Sequence, residues 1–136
     1  RSIIMGYKKM NIKTIKTDKA PQAIGPYSQA KVVNGFIYTS GQIPLKSDGS
    51  LVEGNFENEC IQVLENIKSI LEESNSCLNN VIKLTVFITD LNKFDILNKV
   101  FEKYFVESLP SRSTIEVSRL PKNCRVEIEA IGLVDV

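Results

Sequence analysis

The fold class this sequence predicts is α+β, one mixed β-sheet with both helices on the same face. Three observations carry that expectation. Asn34-Gly35 is a two-residue turn joining two apolar segments into a hairpin. Two separated stretches, one ending near Asn75 and the other near Phe105, carry apolar residues at helical spacing. A β-branched or alternating run follows each of them. The resulting order is β, β-hairpin, α, β, α, β, β. Strands grouped around two separated helices suit a sheet covered on one side.

Taken in order, residues 11–17 alternate weakly around Ile12 and Ile15 and suit an edge strand. Lys19-Ala-Pro-Gln-Ala-Ile-Gly-Pro-Tyr27 holds two prolines and a glycine and reads as an ordered loop. Ala30–Val33 and Phe36–Ser40 flank the Asn34-Gly35 turn, whose positive φ angles suit type I′. Gly41-Gln-Ile-Pro44 ends the second strand, and Lys46-Ser-Asp-Gly49 is a further turn. Between Asn55 and Asn75, Cys60, Val63, Leu64, Ile67, Ile70 and Leu71 form the stripe of an amphipathic helix. Val81–Thr89 is β-branched, with Ile82, Leu84, Val86 and Ile88 expected on one face. Asp90-Leu-Asn92 caps a second helix whose stripe is Leu97, Val100, Phe101, Tyr104 and Phe105, and Pro110 stops it. Strands over 113–118 and 125–134 close the chain.

Composition narrows the chemistry. The 136 residues, 43% hydrophobic and 24% charged, fit one globular domain, expected over 11–136 after an N-terminal extension or cloning remnant at 1–10. Disorder, collagen and coiled coil are excluded by the same fractions. Seventeen basic and 16 acidic side chains leave a net charge of +1, so no nucleic-acid partner is expected. No run nears the roughly 20 apolar residues of a membrane span, so no membrane partner is expected either. With no histidine, neither a Ser-His-Asp triad nor a His-ligated metal can be built. Cys60, Cys77 and Cys124 are odd in number and widely spaced, as suits buried or idle thiols in a reducing compartment. The location expected is the cytoplasm, or the mitochondrion if the basic residues 1–9 end a transit peptide.

Any catalysis must then run on carboxylates, guanidinium, hydroxyls, amides and backbone. In the last strand Val126, Ile128 and Ala130 alternate with Arg125, Glu127 and Glu129. Those three charges line either a solvated face or, if another subunit covers it, a site where a carboxylate must be paired or used. Phe36 and Tyr38 on one face of the hairpin favour a covered one. Arg112, in Pro110-Ser-Arg-Ser113, is either an ordinary surface arginine or a bidentate clamp for a carboxylate. Tyr27 is either a packed loop aromatic or a ligand contact.

Several segments together resemble one family, the reactive-intermediate deaminases of the RidA/YjgF/UK114 group. They are Ala23-Ile-Gly-Pro-Tyr-Ser28, Thr39-Ser-Gly-Gln-Ile-Pro44, Val86-Phe-Ile-Thr-Asp-Leu91, Pro110-Ser-Arg-Ser113, and Arg119-Leu-Pro-Lys122 with Val126-Glu-Ile-Glu-Ala130. Their order and spacing match the family across residues 11–134. The resemblance implies a chorismate-mutase-like subunit in a homotrimer, with clefts between subunits. It implies hydrolysis of imines such as 2-iminopropanoate and 2-iminobutanoate to 2-keto acids and ammonia, with no cofactor and no metal. Residue by residue, Arg112 matches the arginine that binds the substrate carboxylate, and Glu127 the acid that activates water and carries protons. Tyr27 and Asn98 match cleft residues, and Ser40 and Gly41 supply hydroxyl and backbone contacts. Thr114 stands where many members have cysteine, a departure that leaves a backbone contact intact. Two other readings stay open: a small-carboxylate binder without turnover, and a translation inhibitor or endoribonuclease, against which the near-zero charge counts.

Overall fold

The computed structural model describes residues 10–135, so the extension expected at the N-terminus lies, but for Met10, outside the described residues. Six strands form one sheet: β1 (Lys13–Ile15), β2 (Ala30–Val33), β3 (Phe36–Thr39), β4 (Val81–Ile88), β5 (Ser111–Glu116) and β6 (Val126–Leu133). Two helices, α1 (Phe56–Glu73) and α2 (Phe94–Tyr104), pack against it. The spatial order is β1-β2-β3-β6-β4-β5. Every neighbouring pair is antiparallel except β4 and β5, which run parallel because α2 carries the chain back between them. The predicted α+β class and both helices are thus present.

Local chemistry accounts for the elements. Asn34 and Gly35 both take positive φ, 51° and 81°, as the type I′ hairpin requires. Asn55 caps α1 by accepting the Asn58 amide at 2.9 Å, and Glu57 and Glu59 face the positive end of the helix. The predicted α1 stripe is buried throughout, packed with α2's Leu97, Val100 and Phe101 over Ile37, Leu84, Val86, Val126 and Ile128. The buried Cys60 and Cys124 thiols are pushed up to about 12 and about 11, in both cases first by burial. They are packing groups rather than nucleophiles.

Several sequence expectations need correction. Asp90 caps a short 3-10 turn, Leu91–Lys93, that leads into α2, rather than α2 itself, and β5 spans Ser111–Glu116 rather than 113–118. Ile82 does not share a face with Leu84, because the β4–β6 register shifts between Val81 and Lys83. The bulge turns Ile82 outward, 41% exposed, and buries Val81 in its place. Arg125 does not join Glu127 and Glu129 on the outer face. It precedes β6, and its guanidinium Nε donates to Glu59 of α1 at 2.6 Å, with a second nitrogen on the Gly54 carbonyl at 3.0 Å. Glu59 is only 5% exposed, so the pair rivets the start of β6 to the start of α1.

The face of the sheet away from the helices carries no layer formed by the described residues. Strand pairing puts Phe36, Tyr38, Phe87, Ile115, Ile131 and Leu133 there, together with Glu127 and Glu129. Tyr38 and Leu133 are nearly half exposed, an apolar surface that a lone chain leaves in water.

Candidate functional site

Glu127 sits mid-sheet on this bare face, opposite Phe87 of β4. A bulge shapes its surroundings. Tyr38 pairs with Ile131 and Gln42 with Ile128, so Thr39, Ser40 and Gly41 face only Glu129 and Ala130. The extra residue presses the Gly41 backbone against the Glu127 carboxylate, so closely that a side-chain carbon at position 41 would overlap it. Glu127 is half-buried, and its pKa is raised first by that burial and then by the like charge of Glu129.

A cavity of about 390 Å³ opens over this carboxylate, lined by Ile24, Tyr27, Ser40, Gly41 and Pro121 beside it. The 19–27 loop is fixed around it by side chains. Gln29, buried, donates to the carbonyls of Thr17 and Pro21 at 3.1 and 2.9 Å and accepts the Thr17 amide at 2.7 Å. The Tyr27 hydroxyl accepts the Ile24 amide at 3.3 Å. Ser40 Oγ donates to the Ser28 carbonyl at 2.6 Å, so its proton holds the loop and only its lone pairs face a ligand. Sequence reasoning missed Gln29 and Pro121. Their only signal was position, directly after Gly-Pro-Tyr-Ser and inside Arg-Leu-Pro-Lys.

Arg112 lies elsewhere. It is the second residue of β5 and pairs with the buried Leu84, so it points to the helix side of the sheet. Its guanidinium carbon is 5.2 Å from the ring centre of Phe94 and 5.1 Å from that of Phe101, both on α2. No carboxylate pairs with it among the described residues. Burial lowers its pKa, yet an arginine stays charged at any accessible pH. What results, among the described residues, is a stacked cation with its donor fork unused. Asn98 and Arg112 line one cavity of about 320 Å³ with Phe105, Leu109 and Pro110. Thr114 follows on the same strand face, paired with Val86, and its Oγ1 is a buried side-chain oxygen without a hydrogen-bond partner among the described residues. The two aromatic braces, Phe94 and Phe101, are a second omission of the sequence reading, which gave Phe101 to the core alone.

The predicted residues therefore gather into two half-sites. Tyr27, Ser40, Gly41 and Glu127 meet on the bare face, and Asn98, Arg112 and Thr114 on the helix side. Leu84 and Phe87, three residues apart on β4, point to opposite faces and carry their partners Arg112 and Glu127 with them. Within one chain the sheet itself separates the guanidinium from the carboxylate.

Fold and residues together define a small α+β protein whose polar site is divided between the two sides of a sheet. The family model described as Endoribonuclease L-PSP matches residues 17–134. A RutC family protein of Pyrococcus abyssi is 50% identical over 119 residues, 87% of this chain and 94% of that one. The 2-iminobutanoate/2-iminopropanoate deaminase of Mus musculus is 48% identical over 122 residues, 89% of this chain and 90% of its own. The crystal structure of E. coli TdcF with bound serine superposes with a TM-score of 0.86 at 40% identity, covering 90% of this chain and 99% of that one. The chain belongs to this family, the RidA/YjgF group of L-PSP proteins.

Proposed function

We propose that the protein hydrolyses reactive 2-imino acids, 2-iminopropanoate and 2-iminobutanoate among them, to 2-keto acids and ammonia, in a homotrimer of chorismate-mutase-like subunits. The observation that carries this reading is the pairing of an uncompensated, aromatic-braced guanidinium with a carboxylate that favours its proton, on opposite sides of one sheet. Neither half suffices alone. In this reading a neighbouring copy that covers the exposed Phe36 and Tyr38 also supplies its Arg112 to the Glu127 on that face. The mouse relative named as an imine deaminase and the serine bound to the E. coli relative both support a small α-substituted carboxylate as the ligand.

The chemistry asks little of the protein. Arg112 holds the substrate carboxylate through two parallel N–H···O bonds, which fixes the imine carbon in place. The substrate reacts as the protonated imine. Glu127, ionised, takes a proton from a water as the water's oxygen bonds to the iminium carbon, giving a neutral tetrahedral carbinolamine. It then returns the proton to nitrogen. The C–N bond breaks, ammonia leaves, and the carbon–oxygen bond becomes the carbonyl of the keto acid, with its hydroxyl proton released to Glu127 or solvent. Acid–base assistance of this kind is worth about 10²–10⁴-fold. Tyr27, Asn98 and Thr114 line the bound substrate, and the Gly41 backbone keeps the carboxylate facing it.

The test is a coupled assay. A PLP-dependent dehydratase generates 2-aminoacrylate from serine with semicarbazide present, and semicarbazone formation is followed. The wild-type protein is expected to suppress the semicarbazone and Arg112→Ala to restore it. No suppression by a correctly assembled protein would replace this reading with that of a carboxylate-binding trimer.

A further inference from the structure

The cavity in front of Arg112 holds a second charge that the deaminase chemistry does not use. Glu102 lies one turn beyond Asn98 on α2, and both line the same volume as Arg112. Glu102 is exposed, and no ion pair joins it to Arg112 among the described residues. The cation and the anion thus stand apart in one cavity, with the apolar walls of Phe105, Leu109 and Pro110 around them. The side chain of a ligand whose carboxylate occupies Arg112 has those walls and the Glu102 rim beside it. An uncharged substituent fits there, but a second carboxylate meets a like charge.

We infer that Glu102 is a specificity-determining residue, which selects 2-imino and 2-oxo acids carrying one negative charge and rejects those with a second carboxylate. The inference rests on the reading of Arg112 as a carboxylate clamp. Repulsion between two like charges at the wet rim of one cavity discriminates by roughly three- to ten-fold. The apolar walls add a preference for hydrocarbon side chains, which gain by leaving water.

Calorimetric titration of the assembled protein with 2-oxobutanoate and with 2-oxoglutarate tests this directly. The quantity read is the ratio of the two dissociation constants in the wild type, Glu102→Gln and Glu102→Lys. The expected ratio favours 2-oxobutanoate in the wild type, falls by roughly three- to ten-fold in Glu102→Gln and falls further in Glu102→Lys. A gain of 2-oxoglutarate affinity cannot come from misfolding. An unchanged ratio in Glu102→Lys overturns the inference, and so does failure of the wild type to bind either ligand, which also removes the clamp. Binding with the expected ratios but without turnover of 2-iminopropanoate upholds the charge filter and counts against the deaminase reading alone.

Discussion

Glu127 is the residue on which stability and chemistry pull in opposite directions. Burial and the neighbouring Glu129 raise its pKa, so the folded chain holds that proton more tightly than the unfolded chain does. The sign follows: its favourable contribution is complete below the unfolded value of about 4.3 and is lost as pH rises through the higher folded value. Above that window Glu127 is ionised, the form the proposed hydrolysis needs, at a cost in stability. Glu127→Gln removes the cost and the base together. We expect the variant to melt higher than wild type at pH 7, to lose the part of the pH dependence of melting that lies just above pH 4.3, and to retain less than about 1% of turnover. Melting curves from pH 4 to 8 beside the coupled assay check both. A variant that turns over normally is incompatible with the role given to Glu127, and one that melts lower shows instead that the carboxylate is held by a favourable partner such as a neighbour's Arg112.

At the scale of elements, most of the secondary structure was legible because it rests on local rules. Helix α1 has its cap, its stripe and its acidic first turn in consecutive residues, and the Asn34-Gly35 hairpin is fixed by two φ angles. What escaped sequence reading depends on pairing. The bulge that exposes Ile82 exists only because β4 lies on β6, and the bulge over Thr39–Gly41 only because β3 does. Arg125 alternates with Val126 as an outward residue should, yet Glu59, 66 positions earlier, draws it to the helix layer. The second bulge gives a prediction of its own. A methyl at Gly41 strikes the far end of the flexible Glu127 side chain rather than backbone. Gly41→Ala therefore swings the carboxylate aside with little loss of fold, unlike the 1–3 kcal/mol typical of overpacking against a rigid core. We expect melting within about 3 °C of wild type and turnover down by at least about ten-fold, mostly in kcat because the carboxylate clamp is untouched. A loss confined to KM would mean that Gly41 shapes substrate binding instead.

At the scale of the whole molecule, the sequence carried each half of the site but not their separation. Alternation along β6 sets Glu127 beside Glu129 on one face, and only the family resemblance singles out Glu127 there and Arg112 in Pro110-Ser-Arg-Ser113. That the two fall on opposite faces requires the registers of β5 and β6 against β4, and no local pattern encodes those. The consequence is a test that only a shared site can pass. If each cleft takes Arg112 from one subunit and Glu127 from its neighbour, then Arg112→Ala and Glu127→Gln are each inactive as pure trimers. Mixed by denaturation and refolding, they assemble some clefts in which the intact arginine of a Glu127→Gln subunit meets the intact carboxylate of an Arg112→Ala subunit. Random assortment of equal amounts makes about one cleft in four complete, so about a quarter of wild-type activity returns. The double variant mixed with wild type controls for exchange, and light scattering of each sample checks for a single species of three chain masses. A site lying wholly within one subunit predicts no recovery at any mixing ratio. A trimer that forms without recovery would therefore overturn the cleft shared between subunits.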